Sequence, residues 1–205
     1  MNKSIFTKLI VLACACGIQN AYATPLLTVK LPGNSVNFST TVNSLFDAKI
    51  FVDAIPDLGG FDFSLTFNSA KLSAESFDSA SIFGAADTDT LANSIAPGTV
   101  SLSEAISQSS LLTQGLNITA PTLLGTVHFK ALSTVALSPI DFLVNNDTPI
   151  LSTFDGTSVL GSKQNAFVTI APVAAVPLPA AILSFVPGLF AVFGFAKRKV
   201  RKVLS

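Results

Sequence analysis

The chain of 205 residues has no tryptophan, one tyrosine, one histidine and two cysteines. Each scarcity excludes something. Cys14 and Cys16 both stand near the start and no cysteine follows them, so residues 24–172 have neither disulfide nor thiol chemistry. Tyr22 lies in the same leading stretch, which leaves no Trp or Tyr platform for stacking sugar rings. Large apolar groups must come from the 17 phenylalanines, enough for a core. His128 has no second histidine, no cysteine and no base partner close in sequence, so nothing supports a Ser–His–Asp site, and an exposed lone histidine is the plainer reading. Charge is sparse and unevenly placed. All 12 acidic residues lie between Asp47 and Asp155, while residues 24–172 hold only Lys30, Lys49, Lys71, Lys130 and Lys163 as bases. That leaves about seven net negative charges, a field that repels phosphate backbones and argues against nucleic-acid binding.

The two ends carry seven of the 12 basic residues and the long apolar runs. Lys3 and Lys8 flank an apolar run from Leu9 to Ile18 that leads to Ala21-Tyr22-Ala23. A charged start, an apolar middle and a small-x-small exit describe a secretory signal peptide over residues 1–23, with Ala21 and Ala23 as the peptidase site. A lipoprotein signal at Val11-Leu12-Ala13-Cys14 is the lesser alternative, because bulky Leu12 stands where small residues are usual. At the other end, Leu178 to Ala196 is apolar apart from Ser184, and Lys197, Arg198, Lys199, Arg201 and Lys202 follow directly. As a helix this run is about 28 Å long, against a hydrocarbon core of about 30 Å. The basic cluster is expected to stay cytoplasmic and stop transfer, leaving residues 24–172 outside.

Before that run stands Val176-Pro177-Leu178-Pro179-Ala180-Ala181, and Gly188 and Gly194 lie within it. The arrangement over residues 173–205 resembles the PEP-CTERM sorting signal in its Pro-Leu-Pro form. The resemblance implies an exosortase-type protease that cuts near Pro177, Leu178 and Pro179. The membrane segment 178–196 is then a transient inner-membrane anchor, and the exported chain ends at the cell surface or in an extracellular, biofilm-type matrix.

Between the ends, apolar residues alternate with polar ones, the period of half-buried strands. The pattern is clearest in Phe61-Asp62-Phe63-Ser64-Leu65-Thr66-Phe67. It recurs over 36–42, 46–54, 127–131, 140–144 and 166–170. Turn residues separate the runs at Pro32-Gly33-Asn34, Pro56 to Gly60, Ala96-Pro97-Gly98, Asn145-Asn146-Asp147, Asp155-Gly156 and Gly161. Residues 24–172 are therefore expected to form one all-β, antiparallel sandwich with polar outer faces. One short helix is expected within 84–94, capped by Asp87 or Thr88.

The order of Thr28-Val29-Lys30, the strands over 36–55, Asp57-Leu58-Gly59-Gly60 leading into Phe61 to Asn68, Leu72, and later Leu123 to Ala131 is similar to that of a cohesin module. The resemblance implies a nine-stranded jelly-roll sandwich with a non-catalytic role in binding a protein or polysaccharide. The residues bear on two other chemistries. A polysaccharide hydrolase would need a carboxylate pair from Asp53, Asp57, Asp62, Asp87, Asp89 and Asp155, which read more simply as turn and surface acids. A structural calcium ion would draw on Asp87, Asp89 and Asp147, without the full spacing of an EF-hand loop. No other cofactor is expected. A purely structural matrix subunit is the remaining alternative.

Overall fold

The computed structural model describes residues 26–143 and 150–174. The expected signal peptide with Ala21 and Ala23, Asp147, Pro177-Leu178-Pro179, the 178–196 segment and the basic stop all lie outside those residues. Among the described residues no helix is long and apolar enough to cross a membrane.

The alternation becomes two sheets. One has five strands in the order β13 (Ser162–Gln164), β1 (Leu26–Lys30), β3 (Leu45–Val52), β9 (Thr122–Ala131) and β5 (Leu72–Ser79). The other has nine, running β12 (Ser158–Leu160), β11 (Ile150–Thr153), β4 (Ile55–Phe67), β10 (Val135–Phe142), β14 (Ala166–Ala171) and β2 (Asn37–Thr41). The same sheet includes β7 (Thr99–Ile106), which joins β4 to β6 (Thr88–Ala96), and β8 (Leu116–Ile118), which also pairs with β4. At 13 residues β4 is long enough to pair with four strands.

In β3 the burial alternates strictly at first, with Phe46, Ala48, Ile50 and Val52 inward. From the facing sheet Phe61, Phe63, Leu65, Phe67, Val100, Leu102, Ile140 and Phe142 point back at them, so both sheets share one core. Phenylalanine rings join the layers. Phe129 of β9 stacks on Phe46 at 5.6 Å and meets Phe67 of β4 edge-on at 5.0 Å. Burial of each such ring contributes roughly 1.5–3 kcal/mol.

Four expectations are corrected. The described residues hold fourteen strands rather than nine, because several long runs are served by short partners at their ends. The sandwich is not purely antiparallel: β1 with β13, and β2 with β14, pair in parallel, where the first strands of the domain meet the last. Pro56 to Gly60 is not a turn between strands but part of β4. The missing N–H of Pro56 is tolerated at a register shift against β8, and Asp57 absorbs it with a φ of 57°. Gly59 is required there, since a Cβ would sit 2.6 Å from the Phe154 Cα of the crossing chain. Finally, no helix forms within 84–94. A single turn at Gly84 to Asp87, closed by the Thr88 hydroxyl donating to the Gly84 carbonyl at 2.7 Å, leads straight into β6. Pairing of β6 with β7 outweighs the weak local helix signal.

Candidate functional site

Among the described residues, two outer faces and three clefts are places where this fold can act. On the five-stranded sheet the register sets polar residues in rows. Lys30 lies opposite Lys49, which lies opposite Thr126 and then Asp78. In the next row Asp47, His128 and Ser76 are neighbours, and beyond them Leu45, Lys130 and Ser73.

His128 is half-buried, as the alternation of its strand requires, and it is not alone. Its Nδ1 lies 2.7 Å from Asp47 Oδ1 and its Nε2 3.0 Å from Asp78 Oδ2. The hydrogen bond with Asp78, and next that with Asp47, hold its pKa above the ordinary 6.5, while slight burial opposes them. With both nitrogens facing carboxylates, the imidazolium donates on each side and clips β3, β9 and β5 together. No ring nitrogen is left to take a proton from Ser76, so this is not the arrangement of a general base. The partners lie 81 and 50 residues away, which is why sequence reasoning missed them.

Lys30 and Lys49 are like charges directly opposite one another, an unfavourable pairing. Lys30 turns aside, its Nζ 4.8 Å above the Phe51 ring. Beyond the end of β1, a cleft of about 520 Å³ opens along β3, with Leu31, Phe38 and Phe46 in its walls and Asp47 and Lys49 at its side.

The outer face of the nine-stranded sheet is different in kind. Ser94, Ser101 and Ser64 form one row across β6, β7 and β4, with the Ser64 and Ser101 hydroxyls 2.6 Å apart. Ala96, Thr99 and Thr66 form the row on one side, and Ala92, Ser103 and Asp62 the row on the other. Asp89 and Asp141 lie further along the same face, opposite Ala105 and Thr66. Burial pushes the Asp141 carboxyl above its usual range. No strand of this sheet contains a lysine or arginine.

A second cleft, of about 320 Å³, lies at one end of this face between Gly59, Ser107, Gln108, Leu112, Thr153 and Phe154. A third, of about 250 Å³, opens between Phe67, Leu72, Ile95 and Leu132. None of the three is lined by two carboxylates, as paired-acid hydrolysis would need. Two of the acids considered for it are committed to loops: Asp57 accepts the Gly115 N–H at 2.6 Å, and Asp155 accepts from the Thr153 hydroxyl and, at 3.1 Å, from the Thr157 N–H. Those bonds, that from Thr153 first, hold the Asp155 carboxyl below its usual range. Of the residues considered for calcium, Asp87 is half-buried and bonds through its backbone to Gly84 and Ser107, and Asp89 is exposed on β6. Among the described residues no three His, Cys, Asp or Glu side chains gather as a metal set.

The fold is cohesin-like. A type I cohesin in a cohesin–dockerin complex from Clostridium thermocellum matches with a TM-score of 0.57 at 13% identity, over 77% of this chain and 99% of that one. A type II cohesin domain from the cellulosome of Acetivibrio cellulolyticus gives 0.56 at 16% identity, over 71% and 95%. A non-cellulosomal cohesin from the archaeon Archaeoglobus fulgidus gives 0.53 at 13%, over 73% and 92%. No family model matches the chain, and no curated protein does. The cohesin-like module accounts for β1 through β14, and the resemblance of the 173–205 segment to a sorting signal stands apart from it.

Proposed function

We propose that this chain is an exported, non-catalytic protein of the cell envelope or extracellular matrix whose cohesin-like module binds a protein partner. The observation that carries the reading is the outer face formed by β6, β7 and β4. Its centre is Ser64, Ser94, Ser101, Thr66 and Thr99, short side chains that lose little rotamer freedom when covered and let a partner come close to the sheet. Leu112 and Phe154 at the cleft beside it are exposed apolar groups able to anchor a contact. That structures of this fold include cohesins held in complexes with dockerins supports the same reading.

The ends supply the address. The signal over residues 1–23 exports the chain, 178–196 anchors it in the inner membrane, and an exosortase-type protease cuts near Pro177-Leu178-Pro179. Mass spectrometry of the protein from cells with and without that protease tests this part, and a C-terminus still at Ser205 in both would overturn it. The binding reading is tested by immobilising the chain and its Ser64→Arg/Ser101→Arg variant and capturing matrix proteins. A partner that binds the first and not the second is expected. Equal capture by both would remove this face from the function. A structural calcium ion near Asp87 and Asp89 belongs to the same reading, and a thermal midpoint unmoved by excess calcium would exclude it.

A further inference from the structure

The four strand lysines of the module, Lys30, Lys49, Lys130 and Lys163, all belong to the five-stranded sheet. The nine-stranded sheet has none, and Asp62, Asp89 and Asp141 stand on its outer face. Because the sheets pack back to back on one core, these faces look in opposite directions. On each face two charges stand outside any ion pair among the described residues: Lys49 and Lys130 on one, Asp62 and Asp141 on the other. Asp47 and Asp78 on the five-stranded sheet are both taken by His128, and Glu75, the third acid of its strands, stands at the register shift of β5.

The spacing of these charges matches. Lys130 is opposite Leu45 on the adjacent strand, four positions from Lys49. Asp141 is opposite Thr66 on the adjacent strand, four positions from Asp62. Each pair is thus offset by four residues along and one strand across. At about 3.4 Å per residue and 4.8 Å per strand, both separations are about 14 Å.

We infer that copies of this chain stack front to back, the outer face of the five-stranded sheet on one copy meeting the outer face of the nine-stranded sheet on the next. Lys49 and Lys130 pair with Asp62 and Asp141, in one of the two possible senses. The lysines replace the water lost by the partly buried Asp141 carboxyl with a direct counter-charge. Since the two surfaces differ, the contact is heterologous and does not close on a twofold axis, so it propagates into strings. The net negative charge of each copy opposes this at long range. At physiological salt the screening length is about 8 Å, shorter than the module, and the local match decides.

This inference rests on the reading of the nine-stranded face as an interaction surface, and names a second copy as its occupant. The test uses the full chain in mild detergent with Cys14 and Cys16 replaced by serine. Chains carrying Lys49→Cys are mixed with chains carrying Asp62→Cys or Asp141→Cys and oxidised. One of the two mixtures is expected to cross-link, with Lys49→Cys alone giving little, and the doubly substituted chain of the productive pair should form a ladder beyond dimers. Light scattering of unsubstituted chains should show mass rising with concentration. Lys49→Glu/Lys130→Glu should shift that rise to concentrations at least about tenfold higher. A mass that stays monomeric, symmetric Lys49→Cys dimers, or a Lys49→Glu/Lys130→Glu chain that assembles unchanged would each overturn the stacking. If a monomeric chain still captures a foreign partner through Ser64 and Ser101, only the stacking fails. If Lys49 and Lys130 instead bind a carboxylated polysaccharide added as polygalacturonate while the chain stays monomeric, the occupant is a polymer and the stacking is wrong.

Discussion

The two outer faces are built on the same pleat and cover the same core, yet they present opposite chemistry. On the five-stranded side, long charged residues stand beside one another, and a histidine held by two aspartates ties three strands together. On the nine-stranded side, the centre is serine and threonine, with isolated carboxylates and no base. A face rich in lysine costs side-chain entropy when covered and requires a counter-charge, whereas a face of short hydroxyls is cheap to cover and takes its specificity from shape. One fold can therefore carry two distinct surfaces without any change in its interior.

Breaking the joint between the faces should have the largest effect. Phe129→Ala removes the ring that contacts both Phe46 and Phe67, and a loss of about 3–5 kcal/mol in urea unfolding is expected. A smaller loss would mean that the sheets do not depend on this ring. Gly59→Ala acts on the nine-stranded side alone by forcing a Cβ against the Phe154 backbone, and about 1–3 kcal/mol should be lost in the same assay. Sensitivity comparable to that of an exposed substitution such as Ser94→Ala would show that the crossing chain can move away.

Glu104 offers a change of the other sign. It is 2% exposed on the nine-stranded sheet, and its Oε2 has no hydrogen-bond partner among the described residues. Glu104→Met should raise stability by about 1 kcal/mol, read as a later urea midpoint with unchanged slope. Destabilisation would show that the carboxylate has a role in the fold.

The histidine clip should give the smallest effect, on the five-stranded side only. Because the folded pKa of His128 is raised, its stabilisation is complete below the unfolded value of 6.5 and is lost as pH rises through the folded value. The groups are partly exposed, so the total should stay below about 1 kcal/mol. His128→Gln should flatten that window in stability measured against pH. Asp78→Asn should lower the His128 pKa by NMR more than Asp47→Asn does, and the reverse order would revise which aspartate dominates.

The strands with strict alternation, such as Phe46 to Val52, Phe61 to Phe67 and Val127 to Ala131, were legible because a period of two depends only on local geometry and a core to face. Most of β6 was not. Its residues are largely exposed, so no apolar period marks it, and its strand state comes from pairing with β7. Pro56 to Gly60 was misread for a related reason: proline and glycine signal a turn, and only the neighbouring β8 and β11 reveal that they accommodate a bulge and a close crossing. His128 was correctly placed at the surface, but its two partners come from strands on either side.

What the residues determine by themselves is the all-β character of the module, its phenylalanine core and its acidic excess, since composition and alternation are local properties of the chain. The partition of that charge was a matter for the tertiary structure. Lys30, Lys49 and Lys130 are far apart in sequence, and they become one face because β1, β3 and β9 are adjacent in one sheet. Asp62 and Asp141 become the other through the pairing of β4 with β10. Register sets which charges stand side by side, and it depends on contacts between segments too distant for any local pattern to encode.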